Sequence, residues 1–424
     1  MKTLTISLVL FLLFGPFSYS QNVEAKLGNL GKFAVKDPNN TDIFSVTHED
    51  FDVAVNGNLR LINTTQYNIG MIWKEGYSFL HNYSAPNTQG GNTFLGIRAG
   101  NTAPEGSNFQ KSFNTGIGEN ALQSLSLGES NTAIGYSALR FNSNGSNNSA
   151  FGGSSLYLNT IGVGNSSFGS EALYANTSDY NSGFGYRALY SNTSGFSNTA
   201  FGFRSLENSN GIGNTAFGTE ALVGKTSGDQ NTAVGYFSGS NITTGSNNIT
   251  IGYNAQVPNN AGNNQVRIGN ISINYAGIQV AWTVTSDRRW KENIQHSKLG
   301  LDFISKLNPV SYTRINDENH RTEYGLIAQE LEEVLKKEGI ENTGMLTITD
   351  EGLYELRYND LIAPMIKAIQ DLKSENDKEM SMLKSENEQL RKELDALKEV
   401  NIRLAKLEQV IINSDVKFSS NITK

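Results

Sequence analysis

The 424 residues contain no cysteine and only four histidines, and charged residues make up just 18%. Without disulfides, stability has to come from packing, repetition or association of chains. His48, His81, His296 and His320 stand apart along the chain. They suggest no metal-ligand cluster, and no cofactor is expected. A formal net charge of −7 argues against a nucleic-acid partner, although Arg288, Arg289, Lys291 and Lys298 form a small local basic cluster. Long apolar runs are absent with one exception, Leu4 to Phe17, which follows Met1-Lys2 and precedes Ser18-Tyr19-Ser20-Gln21. This pattern predicts a secretory signal peptide over residues 1–20, cut after Ser20, and so a secreted or cell-surface protein. The alternative is an uncleaved anchor. No other segment is apolar enough to cross a membrane.

Glycine, by contrast, is abundant, with 42 residues. Residues 21–91 mix short β-type runs, such as Phe51–Val55 and Leu59–Ile62, with Asn-Gly and Pro-Asn turns, and predict a small N-terminal β region. From 92 to 270 the chain repeats itself. A glycine closes each unit at 118, 135, 152, 169, 185, 202, 218, 235, 252 and 269, so the spacing is 17 with two exceptions of 16. That period is too short for two helices and predicts one β-coil per repeat. The residue before each glycine is apolar, from Ile117 and Ile134 through Phe151, Phe168, Phe184, Phe201 and Phe217 to Val234, Ile251 and Ile268. Stacked coils are expected to turn these into an internal ladder.

Four residues after the glycine, Leu122, Leu139, Leu156, Leu173, Leu189, Leu206 and Leu222 predict a second ladder, which lapses at Gly239 and Gln256. Four residues before it, asparagine recurs from Asn114 to Asn248 and predicts an amide ladder or a row of turns. Ten coils at ~4.8 Å make a rod about 50 Å long. One coil supplies little core of its own, so lateral association into a trimer is expected. The repeat resembles, in its Asn-Ser/Thr-x-apolar-Gly units, the β-roll heads of trimeric autotransporter adhesins. Glu119, Glu171 and Glu220 invite a glycosidase reading, but they fall where a solvated turn is expected.

Ile271–Ile273 and Gly277–Val284 predict strands, a β linker over 271–285 leading to Thr285-Ser286-Asp287-Arg288-Arg289-Trp290-Lys291. A serine nucleophile needs a base, and a neutral lysine can serve. Ser286 and Lys291 are five apart, a spacing that a turn leading into a helix can close. The competing reading makes Ser-Asp an N-cap and Lys291 a solvated lysine.

Four ordered blocks bear on that choice: the Ser-Asp-x-Arg-x-Lys-x-Asn-Ile run from Ser286, Leu307–Tyr312, Tyr324–Glu330, and Tyr358–Leu372. In these the chain resembles the peptidase S74 family, the intramolecular chaperone auto-processing domain that ends phage endosialidase tail spikes, tail fibres and the myelin regulatory factor. The resemblance implies a chaperone domain over 286–363, a catalytic Ser286–Lys291 pair, and a cut between Thr285 and Ser286. Trp290 stands where the family more often has Leu, and is expected to pack rather than react. Gln329 and Glu330 are expected to have structural roles.

A helix is predicted from Asn359 or Asp360, with Pro364 in its first turn. Heptad positions Ile369, Asn376, Leu383, Leu390, Leu397, Leu404 and Ile411 predict a coiled coil over 364–412, followed by a polar tail over 413–424. The expected architecture is therefore a mainly β, trimeric fibre of β-coil repeats, then a small α+β chaperone domain and a coiled coil. The expected function is a secreted or surface adhesin-like homotrimer whose chaperone releases itself, with a surface glycan or another cell-surface ligand as candidate partner. Two alternatives are a structural adhesin that retains the C-terminal domain and a spike with a glycan-degrading head.

Overall fold

The computed structural model describes residues 32–36, 42–47, 53–55, 71–83, 88–100, 112–224 and 226–421, with side chains from 71 to 414. The signal peptide expected over 1–20 and the run Leu59–Ile62 lie outside the described residues. β1 (Lys32–Lys36), β2 (Asp42–Thr47) and β3 (Val53–Val55) form an antiparallel meander in the N-terminal region. β4 (Ile72–Lys74) and β5 (Tyr77–His81) form a hairpin, and β5 pairs antiparallel with β6 (Thr93–Leu95). From β6 onward every pairing in this sheet is parallel.

His81 closes the N-terminal end of the rod. It is buried, its ring lies 4.8 Å from that of Phe94, and Nε2 donates to the Ala99 carbonyl at 2.7 Å. Nδ1 then accepts from the Tyr83 N–H at 3.3 Å, so the neutral ring satisfies both neighbours. Burial lowers its pKa below the ordinary 6.5, with the Ala99 hydrogen bond opposing. Below 6.5 the unfolded chain takes up a proton that the folded ring resists, so this end of the rod should lose stability as pH falls. Thermal melts at pH 7 and pH 5 should show a downward shift that disappears in His81→Gln.

Ten three-residue strands, β7 to β16, carry the rod. They run from β7 (Thr115–Ile117), β8 (Thr132–Ile134), β9 (Ser149–Phe151), β10 (Ser166–Phe168) and β11 (Ser182–Phe184) to β12 (Thr199–Phe201), β13 (Thr215–Phe217), β14 (Thr232–Val234), β15 (Ile249–Ile251) and β16 (Val266–Ile268). They pair in register, Phe168 with Phe151 and Phe184 for example, giving a β-solenoid with one strand of this sheet per repeat. The two 16-residue repeats keep that register by shortening a turn. Asn176 Nδ2 reaches the carbonyl two residues on, whereas Asn159 and Asn192 reach the third.

The apolar column before each glycine faces outward, not inward as the sequence suggested. Phe168, Phe201 and Phe217 are 38%, 47% and 55% exposed, while the middle residue of each strand from β7 to β15, such as Ala150, Ser167, Ala200 or Ala233, is buried. Strand alternation permits only one of the two sets inside. The glycine decides which: a Cβ at Gly169 (φ +140°) would lie 2.5 Å from the Gly185 carbonyl oxygen, so at this corner successive coils stack backbone on backbone. The column two before the glycine, being small, fits that narrow interior.

The leucine ladder is internal as expected, with Leu122 to Leu222 essentially inaccessible. Where it lapses, Ile242 and Val257 fill the interior instead. These leucines have left-handed backbone, φ +55° at Leu189, and their burial offsets a conformation that L-residues seldom adopt. Leu189→Ala should cost about 2–5 kcal/mol, since adjacent coils are fixed by hydrogen bonds and cannot collapse into the gap; chemical denaturation would measure it.

The asparagine ladder also forms. Each Asn Oδ1 accepts the backbone N–H of its counterpart one coil on, at 3.0 Å for Asn131 to Asn148 and 2.9 Å for Asn165 to Asn181. Each Nδ2 donates to a turn carbonyl. A second buried column, Asn142, Asn159, Asn176 and Asn192, was not anticipated. Its 17, 17, 16 spacing is nonetheless present in the sequence. Two of the three candidate carboxylates pair with arginines on neighbouring coils, Glu171 with Arg187 at 2.6 Å and Glu220 with Arg204 at 2.9 Å, and Glu119 accepts from Asn120 Nδ2 at 3.4 Å.

The β linker expected over 271–285 has no strand. Among the described residues no strand pairs with it, and Val280, Trp282 and Val284 are each at least 75% exposed. The domain beyond it contains α1 (Leu301–Ile304), β17 (Val310–Tyr312), β18 (Glu323–Gly325), α2 (Ala328–Lys337), and a hairpin of β19 (Leu346–Ile348) and β20 (Tyr354–Leu356). Phe303, Leu331, Leu335, Met345 and Leu361 form its core. The hairpin abuts the last coil: Arg267 pairs with Glu355 at 2.6 Å, and the Asp350 N–H donates to the Pro258 carbonyl at 2.7 Å.

α3 (Ile362–Asn421) is a single 60-residue helix with Pro364 in its first turn. It continues through most of the expected polar tail, because residues 413–421 contain neither proline nor glycine to stop it. Its heptad residues are exposed in one chain, Leu383 to Ile411 by 45–62%, as a helix compatible with a coiled coil requires. Among the described residues, no helix is long and apolar enough to cross a membrane.

Candidate self-cleavage site

Thr285 and Ser286 are exposed, at the end of the irregular segment that leaves the rod. Immediately after them the chain folds into one 3₁₀ turn, Arg288–Trp290, rather than the longer helix that the sequence suggested. Asp287, not Ser286, caps that turn. Its Oδ1 accepts the Arg289 N–H at 2.8 Å, with backbone φ −64° and ψ 138°, the extended geometry of an N-cap. The Arg289 guanidinium returns to the same carboxylate, with Nη2 2.7 Å from Oδ2. The Asp287 pKa is lowered by the Arg289 side chain first and by the Arg289 backbone amide second, so the cap is a carboxylate at neutral pH.

This turn settles where the lysine goes. Lys291 ends it with an extended backbone and donates its N–H to the Arg288 carbonyl at 3.1 Å. Lys291 is thereby brought back beside Ser286, and Nζ donates to Oγ at 2.7 Å. The two residues singled out by spacing are therefore in hydrogen-bond contact, both exposed in one chain. Such a contact allows proton transfer from a serine hydroxyl to an amine when the amine is neutral. Of the basic cluster, Arg289 is committed to Asp287.

Trp290 does not pack within the chain, being 82% exposed. Glu330 accepts from Asn308 Nδ2 at 3.2 Å, linking two of the four ordered sequence blocks within the folded domain rather than at the serine. The Tyr-Gly-Leu block is structural too. The Leu326 N–H donates to the Tyr358 hydroxyl at 2.9 Å, and any side chain at Gly325 would collide with that hydroxyl. Asp287 holds this turn in place, and the Asp-x-Arg spacing that makes it both cap and clamp is visible in the sequence.

Residues 286–340 match the model of the peptidase S74 family, described as chaperone of endosialidase. The match begins at Ser286 itself. No curated protein and no solved structure matches the chain.

Proposed function

From an S74 chaperone domain standing at the foot of a β-solenoid fibre, we propose that this protein is a secreted or surface homotrimeric fibre whose C-terminal domain drives assembly and then detaches by cutting between Thr285 and Ser286. The observation that carries the reading is the 2.7 Å contact of Lys291 Nζ with Ser286 Oγ at the first residue of the family match. In the proposed step, neutral Lys291 takes the hydroxyl proton and Oγ attacks the Thr285 carbonyl carbon. The Ser286 nitrogen leaves with a proton as the peptide bond breaks, and water hydrolyses the resulting ester to a Thr285 carboxylate. Each chain is cut once and no external substrate is consumed.

The assembly logic is kinetic. Solenoid coils pair non-locally and form slowly, whereas a long helix forms quickly and, as a coiled coil, raises the effective concentration of the rods. Cleavage then removes the assembling element, so the fibre cannot retrace its folding path. The signal sequence supports export, and the rod supports a role as adhesin or tail-fibre-like structure presented to a surface glycan or another cell-surface ligand.

One observation favours a second reading, a domain retained uncut as a trimerisation module. The pair is exposed in one chain, and lysine acts as a base only where burial or neighbouring charge favours its neutral form. Intact-mass spectrometry of the purified oligomer discriminates between the two. Two fragments meeting at Thr285/Ser286 are expected, while an intact chain in a correctly assembled trimer establishes the retained module.

A further inference from the structure

We infer that the outward face of the solenoid sheet is the seam along which copies of this chain pack, parallel and at equal height, around a common axis. This deepens the trimeric reading and rests on it. Each of β7 to β16 turns its first and third residues outward. Across ten coils those two columns contain no charged residue, in a chain that is 18% charged. The third-residue column is apolar throughout, and from Phe151 to Phe217 its rings stack at centroid distances of 4.6–5.3 Å. An exposed apolar strip this long marks an interaction surface.

Two physical arguments identify the occupant as the chain itself. Rings stacked face to face show only their edges to the outside, so a sugar, which packs on an aromatic face, finds none free. A second apolar row of the same rise per coil interdigitates with them. The second argument is symmetry. In a parallel rotational assembly a residue near the axis meets its own copy, so a charged column there would set like charges against one another. The columns of Glu119, of Arg140, and of Glu171 with Arg187 carry charges, which excludes those three from the axis. Parallel, equal-height alignment follows from α3, whose exposed heptads gather the copies at one end.

The absence of native cysteine makes the test direct. In the otherwise unchanged full chain, Thr199→Cys places a thiol on the seam and Ser194→Cys places one on an exposed turn away from it. After mild oxidation, denaturing gels should show most Thr199→Cys chains as disulfide-linked dimers, two of each three, and Ser194→Cys chains as monomers. Light scattering on the same samples should give the mass of a trimer for both. A trimer in which Ser194→Cys links as well or better, or in which neither links, overturns the seam while leaving the trimer standing. A monomer for both overturns the trimeric reading and the seam with it. Glycan binding that is lost in Phe201→Glu while the oligomer persists would assign the strip to a ligand and also overturn the seam.

Discussion

Ser286→Ala should yield a single full-length chain where the unaltered protein yields two fragments. The loss should be about 10³-fold or more in cleavage rate, equivalent to about 4 kcal/mol of activation free energy. Without Oγ there is no nucleophile five residues before Lys291, and among the described residues nothing else is hydrogen-bonded to that lysine's Nζ. Lys291→Ala should be equally silent, because nucleophile and base act as a unit and removing either removes both. The double variant should be no slower than the singles. Asp287→Ala should slow the reaction without abolishing it, since it removes the cap of the turn that carries Lys291 back, a loss of about 1 kcal/mol or roughly fivefold. Time courses on denaturing gels measure all four. Undiminished cleavage in Ser286→Ala would mean that another nucleophile, or a host protease, makes the cut.

The second large effect is expected in the rod, at Asn165→Ala. Asn165 Oδ1 accepts the Asn181 N–H at 2.9 Å, while Nδ2 donates to the Ser178 carbonyl at 2.9 Å and to Asn148 Oδ1 at 3.0 Å. The Asn181 N–H is buried, so truncation strands a backbone donor, whereas the Ser178 carbonyl keeps its bond from Asn176 Nδ2 at 2.8 Å. At about 1–3 kcal/mol for the orphaned donor the cost should be about 2 kcal/mol, a fall of about 5 °C in melting temperature. Asn165→Asp should be no better. It keeps an acceptor for Asn181 but sets a carboxylate against the Ser178 carbonyl. Asn208→Ala, which removes an exposed hydrogen bond to the Val223 carbonyl, should change little, within about 0.5 kcal/mol. Similar shifts for Asn165→Ala and Asn208→Ala would deny the ladder its structural role.

Much of this architecture was legible because the chain repeats. Periodicity located the coils, and leucine and asparagine at fixed offsets located the interior. What periodicity could not give is the side to which a column points: the phenylalanines before the glycines are as regular as the leucines after them. The deciding fact, backbone-on-backbone stacking at the glycine, is three-dimensional. The linker misled for a related reason. The alternation of Ile278, Val280, Trp282 and Val284 is a genuine strand pattern, but a strand needs a neighbour and the described residues offer none there. At the site, the Ser286–Lys291 spacing was legible, whereas the turn that closes it depends on Asp287 and Arg289 gripping each other, a local geometry that residue types alone did not settle.

The central claim, that residues 286–424 assemble the fibre and then leave it, is tested most directly by one measurement. It is the molar mass by light scattering of the fibre through Thr285, produced without residues 286–424 and compared with the Ser286→Ala full chain. The account predicts a trimer for the uncut full chain and monomer or aggregate for the shortened one. A shortened chain that forms the same trimer unaided would contradict it, because the C-terminal domain would then have nothing to assemble.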